Sequence, residues 1–273
     1  MIDLWELVLL AAGTAAIGAI GGIGGAVILV PVLVLLGVAP TDAAPLGVLT
    51  VAAGSLAAAP RQLREGLVHH RLGVLLEVPA SACAVAGALV AGAIDESMLT
   101  VVLAAVAGLA AVAGGRRVGL RNEPDSLFGE EPAGEWPGTL AGAYHLDGLV
   151  VPYQARRMPL GMVAMGAAGL LSGLAGVGGG FIKTPAMSEI MHVPVRVAAA
   201  TSTFTVGITS ATALLVFASQ GRIDARAGAA VVLGGLAGGT AGAKAQGLIP
   251  PAVARRGLSI LLVAVAAVLL ARS

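Results

Sequence analysis

An ammonium group inside an apolar stretch, a run of glycines just before it and a row of hydroxyls after it are the residues of this chain that could do chemistry. Lys183 lies in Ser172-Gly-Leu-Ala-Gly-Val-Gly-Gly-Gly-Phe-Ile-Lys-Thr-Pro185, where a hydrophobic segment would otherwise continue as one helix. A charge buried in such a segment is costly and faces a cavity or a partner. The rival roles for Lys183 are snorkelling to the interface and pairing with Glu189. A helix interrupted at membrane depth leaves backbone N–H groups that lipid cannot satisfy, so it survives only inside protein or beside a wet cavity. At the amino end of the following half-helix, those donors and the aligned peptide dipoles favour an anion. Thr201, Ser202 and Thr203 follow near the start of the next helix. They could donate to an oxyanion or cap their helix, two roles of equal weight.

The same device occurs earlier, in Gly18-Ala-Ile-Gly-Gly-Ile-Gly-Gly-Ala-Val-Ile-Leu-Val-Pro31. Both copies read G-x-G-G-x5-P, and Pro40 and Pro194 follow at the same distance. The candidate substrate-binding set is therefore the amides of Gly22, Gly24, Gly25, Gly176, Gly178, Gly179 and Gly180, with Lys183, Thr201, Ser202 and Thr203. Glycines in membrane helices also serve close packing. That role is preferred for Gly234-Gly235 and Gly238-Gly239, whereas the paired prolines favour an unwound helix at the two motifs. Leu29 stands where the second copy has Lys183, so the charge is on one side only.

The elements that position these groups follow from composition. A chain of 273 residues with 57% hydrophobic and 11% charged residues is a polytopic membrane protein, because soluble domains carry about a quarter charged residues. Its net charge of +1 gives no support for nucleic-acid binding. Cys83 is the single cysteine, which excludes an intramolecular disulfide. No Ser-His-Asp set, HExxH, CxxC or Walker loop is present, which weighs against an enzyme or an ATP-driven pump. His69, His70 and Arg71 read as a solvated loop, and His192 as a boundary residue. The start, Met1-Ile-Asp-Leu-Trp-Glu-Leu, lacks the basic region of a cleavable signal peptide, so the first helix is expected to be retained.

Apolar segments are expected over 4–20, 26–37, 41–60, 71–93 and 98–114, and again over 158–175, 180–192, 196–218, 227–246 and 253–271. Thr41-Asp42 are cap candidates for the third, Pro31 is expected in a first helical turn with unwound chain reaching Val30, and Pro79 is expected to kink its helix. Gly66, Arg71, Gly73, Gly87, Gly92 and Arg117 match Gly221, Arg226, Gly228, Gly242, Gly247 and Arg272 in one register. Such matching predicts an internal repeat. The expected organisation is a first transmembrane repeat over 1–120, a polar linker over 121–157 and a second repeat over 158–273. In the linker, Thr139–His145 and Leu149–Gln154 around Asp147-Gly148 predict a small β-hairpin, while Asn122–Gly138 reads as mobile. The fold class is thus an all-α polytopic membrane protein of two repeats, each with a Gly-broken helix. Re-entrant breaks make the repeats inverted and crossing breaks make them parallel. The positive-inside balance and the acidic amino terminus favour inverted.

Gly173-Leu-Ala-Gly-Val-Gly-Gly-Gly-Phe-Ile-Lys-Thr-Pro185, Pro194, Ala198-Ala-Ala-Thr-Ser202 and Gly221-Arg-Ile-Asp224 resemble the sulfite exporter TauE/SafE family of membrane permeases. The resemblance covers both halves and implies an inner-membrane, multi-pass secondary transporter for sulfite, sulfonates or related oxyanions, with no bound cofactor. The first copy departs from it where Pro45-Leu46-Gly47-Val48 replaces the Ala-Ala-Thr-Ser string. The expected function is transport of a small oxyanion by alternating access between the repeats. Its partners are the lipid bilayer and a coupling proton or sodium ion, with homo-oligomer formation left open. A passive anion channel and a membrane-bound sensor or assembly protein are the competing readings.

Overall fold

Long apolar runs punctuated by glycine and proline become helices, because lipid leaves the backbone no other partner than itself. A computed structural model describes residues 3–21, 24–115, 134–146, 149–245 and 251–272. In chain order the helices are α1 (Leu4–Gly21), α2 (Ala26–Leu35), α3 (Pro40–Arg64), α4 (His70–Ala91), α5 (Glu96–Gly115), α6 (Met158–Ala175), α7 (Gly180–Pro185), α8 (Val195–Ser219), α9 (Ala225–Ala245) and α10 (Pro251–Arg272). A π-helical turn, Ala186–Ile190, continues α7. Four of them, α3, α4, α6 and α8, are long and apolar enough to cross a membrane. The chain is a multi-pass membrane protein.

Helix starts follow local chemistry. Proline opens α3 and α10, where its missing amide hydrogen is harmless. The Asp224 carboxylate accepts the Ala227 amide at 2.7 Å and so caps α9. Thr41 and Asp42 are not caps: α3 already begins at Pro40, and the Asp42 amide donates to the Ala39 carbonyl at 2.9 Å. Pro31 also departs from expectation. It sits inside α2, which begins at Ala26, so the unwound chain ends by Gly25. Proline there leaves the Val27 carbonyl without its usual donor.

Glycine-lined contacts set which helices meet and in which direction. Gly234 faces Val8, Ala11 and Ala12, and Gly242 faces Ala16 and Ala19, so α1 and α9 run the same way. Gly235 and Gly239 likewise advance along Thr50, Ala53, Gly54 and Ala57, which puts α3 parallel to α9. The packing role expected of these glycine pairs is what they perform. On the other side, Gly169 meets Ala80 and Gly173 meets Ala84 and Ala88, aligning α6 with α4. Gly73 faces Thr201 and Thr205 while Gly92 faces Gln220, aligning α8 with α4.

Between the helical halves lies a three-stranded antiparallel sheet of β1 (Gly134–Glu135), β2 (Ala141–Leu146) and β3 (Leu149–Gln154). The hairpin pairs Leu146 with Leu149 and Ala141 with Gln154. The first strand is an addition: Gly134 and Glu135 pair with Ala143 and Gly142, inside the stretch expected to be mobile. Most of the rest of that stretch lies outside the described residues. Tyr144 and Tyr153 of the sheet, with Ala155 just after it, share a core with Leu72 and Leu76 of α4, Met165 of α6, and Met187 and Met191.

Candidate anion site

The glycine break after α6 holds three residues in the left-handed region that favours glycine: Gly176 (φ 72°), Gly178 (φ 78°) and Gly179 (φ 68°). Gly176 closes α6, its amide donating to the Ser172 carbonyl at 2.9 Å, so that donor is engaged rather than free. The amides of Gly178, Gly179 and Gly180 make no hydrogen bond among the described residues, and Gly179 stands at the start of α7. In the first copy, the Gly24 amide (φ 87°) reaches the Gly18 carbonyl at 3.4 Å, and Gly25 lies against Thr14 and Ala15 of α1. Gly22 lies outside the described residues. The breaks approach one another at Gly47 of α3. A methyl there would lie 2.4 Å from the Gly176 carbonyl oxygen, 2.1 Å from the Val30 side chain and 3.4 Å from Ala26.

Lys183, one turn into α7, is fully buried, which excludes snorkelling. Its partner is not Glu189, which is exposed, but Glu77 of α4, from the other half of the chain. The Lys183 Nζ donates to Glu77 Oε2 at 2.7 Å, to Thr209 Oγ1, and to Thr205 Oγ1 at 3.5 Å. The Glu77 carboxylate also accepts from Ser81 Oγ at 2.7 Å and from the Thr209 hydroxyl. All three ammonium protons and both carboxylate oxygens therefore have partners. Taking such a pair out of water costs several kcal/mol per ion unless the geometry and extra hydrogen bonds offset it. Three hydroxyls, Ser81 of α4 and Thr205 and Thr209 of α8, converge to do so.

The three hydroxyls singled out from sequence lie nearer the start of α8 and have separate duties. Thr201 accepts the His69 amide at 3.0 Å, Thr203 bonds back to the Ala199 carbonyl at 2.9 Å, and Ser202 is buried with its carbonyl accepting from Thr205. Sequence reasoning missed Glu77, Thr205 and Thr209 as partners of Lys183, and Ser81 as a partner of Glu77. Two signals were available. Glu77 is an acid within an apolar segment, and Thr201, Thr205 and Thr209 recur every fourth residue, which is one helical face. Ser172 and Ser210 are fully buried, and their hydroxyls have no hydrogen-bond partner among the described residues, nor has the Thr184 hydroxyl beside Lys183. Unsatisfied buried donors of this kind call for a ligand or water.

The polar sheet reaches the same helix at its amino end. Glu135 accepts the His70 amide at 2.8 Å and faces the Arg71 guanidinium at 3.2 Å, placing a carboxylate where the α4 dipole is positive. His69 caps α4, its Nδ1 accepting the Leu72 amide at 3.3 Å. Burial pushes the His69 imidazole below its ordinary range, against the opposing pull of Glu135. Across the molecule, Arg222 bonds the Thr41 carbonyl and stacks on Phe217 at 4.7 Å, tying the α8–α9 turn to α3.

Among the described residues no cluster of three or more metal-ligating side chains occurs. No curated protein and no solved structure matches the chain. A family model does: the one described as sulfite exporter TauE/SafE matches residues 7–269. The match spans nearly the whole chain, so this chain belongs to the sulfite exporter TauE/SafE family of membrane transporters and is not an enzyme.

Proposed function

We propose that the protein is a secondary transporter of a small sulfur-containing or organic oxyanion, sulfite or a sulfonate, working by alternating access between two inverted repeats in the cell's inner membrane. The observation that carries the reading is Lys183, fully buried one turn beyond a glycine break whose amides at Gly178, Gly179 and Gly180 make no hydrogen bond among the described residues. Only a few groups recognise an oxyanion at membrane depth, and a lysine with aligned backbone donors is such a set. The buried hydroxyls of Ser172 and Ser210 add donors that a tetrahedral oxyanion would satisfy. The solute then sits between the two breaks, nearer Lys183 than Leu29.

Support for the inverted arrangement comes from helix directions. α1, α3 and α9 share one direction, and α4, α6 and α8 share another. α3 and α4 are both long enough to cross and are joined by residues 65–69 alone, so they cross in opposite senses. Each of α1, α3 and α4 then runs opposite to its counterpart α6, α8 or α9, which is the sign of inverted repeats. The pairing of α1 with α9 and of α4 with α6 is one contact seen twice. Domain limits at 1–120, 121–157 and 158–273 follow from the same division.

Purified protein in liposomes should take up labelled sulfite or methanesulfonate with a rate that saturates with solute. A rate that rises without limit would indicate a passive channel. Unchanged transport by Lys183→Ala would remove the lysine from the site.

A further inference from the structure

Lys183 has no proton to spare. Its three N–H groups point to Glu77, Thr209 and Thr205, so an anion reaches the ammonium only by displacing a partner, and Glu77 is the one that carries charge. Displacing it would leave a carboxylate in the protein interior beside an anion, an arrangement whose cost greatly exceeds that of a neutral acid. The remedy available to a carboxylate is to take up a proton. Protonated Glu77 keeps its hydrogen bonds, because Ser81 can still donate to the acid and the acid O–H can turn to the Thr209 oxygen.

No other charge near the pair can compensate. α6 packs along α4 without a single ionisable residue, and α8 carries only Arg196, which is exposed. The π-helical turn contributes Glu189, also exposed. On α4 itself His70 and Arg71 are exposed at the first turn, held by Glu135, and Cys83 faces Gly166 of α6. His69, also buried, caps α4 two turns away and is engaged by the Leu72 amide and Glu135, so among the described buried charges Glu77 and Lys183 have each other as partners.

Building on the transport reading above, we infer that Glu77 is the proton-coupling residue, occupying Lys183 in place of the solute when the site is empty and taking one proton when a singly charged oxyanion displaces it. The charge balance enforces the exchange. The empty site holds Glu77 carboxylate and Lys183 ammonium and is neutral; the loaded site holds neutral Glu77, the ammonium and a monoanion and is also neutral. An empty site with protonated Glu77 carries one positive charge, and a loaded site with ionised Glu77 one negative charge. Both are penalised by burial, so anion and proton move together, one to one. A dianion would leave net charge in the loaded site, so the substrate class is a monoanion such as a sulfonate or hydrogen sulfite.

The test uses the full chain in proteoliposomes with methanesulfonate, a strong acid's anion that carries no proton of its own. An interior pH dye reports protons, and a potassium clamp with valinomycin holds the potential. An imposed outward-to-inward methanesulfonate gradient should acidify the lumen with one proton per anion, and the flux should not depend on the clamped potential. Glu77→Gln removes the titration and leaves Lys183 uncompensated in the empty site. Net uptake should fall about tenfold or more, while methanesulfonate exchange across the membrane persists and loses its pH dependence. Persisting exchange separates uncoupling from misfolding, which would abolish both. Wild-type uptake without acidification, or uptake driven by a sodium gradient instead, would overturn the coupling role and leave the transport reading standing. Failure of the wild type to take up or bind any monoanion of this class would overturn both.

Discussion

Replacing Lys183 by Met tests the buried pair as a structural element, apart from its role in transport. Methionine fills a similar volume but strands the Glu77 carboxylate, whose side chain is 6% exposed, between the Ser81 and Thr209 hydroxyls. Removing one partner of a buried pair costs about 3–5 kcal/mol. Two hydroxyl donors remain on the carboxylate, so the lower end, about 3 kcal/mol, is expected here. For a chain of this size each kcal/mol moves the melting midpoint by about 2–4 °C, giving a drop of about 6–12 °C. The double variant Glu77→Gln with Lys183→Met leaves no charge, and the amide still reaches Ser81 and Thr209. It should recover most of the loss, with a coupling energy of about 2 kcal/mol or more between the sites. Cys83 supplies the assay. As the single cysteine, partly buried against Gly166, it should react with a maleimide dye as α4 separates from α6 in detergent. A Lys183→Met midpoint within about 2 °C of wild type, or a double variant as unstable as the sum of the singles, would refute the account of the pair.

Three further outcomes follow from the geometry. Gly179→Ala combines a positive φ with a methyl 2.7 Å from the Ala168 carbonyl oxygen, and should cost at least about 1–2 kcal/mol and abolish solute binding measured by thermal shift. Glu135→Gln removes the charge at the α4 amino end and its pairing with Arg71; a loss of about 0.3–1 kcal/mol should appear as faster trypsin cleavage in the linker. Because burial holds folded His69 below its ordinary value of 6.5, the unfolded chain takes up its proton first. The contribution of His69 to stability is therefore complete above pH 6.5 and is lost as the pH falls toward its folded value. His69→Asn keeps a capping side chain and should flatten that part of the pH profile of the melting midpoint.

Much of the helical framework was readable because membrane helices announce themselves by length and hydropathy. The second-half segments lie within about two residues of the observed helices, a normal tolerance for boundaries. The hairpin was readable from the turn-forming pair Asp147-Gly148 in the sequence between two short segments. Pro31 misled because burial against neighbours tolerates a lost hydrogen bond that an isolated helix would not. The strand at Gly134–Glu135 was invisible because its two residues carry no pattern of their own; pairing to Ala143 and Gly142 makes it a strand. Lys183 was legible as a costly charge, yet its partner was sought nearby in sequence, at Glu189. Glu77 comes from the other half because α4 packs against α8, a tertiary fact that no local spacing encodes. Gly176 and Thr201 were recognised as special residues, but which atom bonds to what was settled only by the fold.

The interlocking of α1 with α9 and of α4 with α6 has a mechanical corollary. At Gly169 a single methyl would come within 1.9 Å of the Ala80 carbonyl, and at Gly238 within 2.0 Å of Ala12. Backbones in such contact do not slide past each other without opening voids along their whole length. Each half of the chain grips a helix of the other, so alternating access between the repeats works through their short pieces rather than by rocking of whole halves. Displacement is left to the short pieces, α2 and α7 with its π-helical turn, pivoting on the glycines that precede them. Cysteine bridges locking α1 to α9 would then be as silent in transport as bridges pinning α7 to α4 would be fatal.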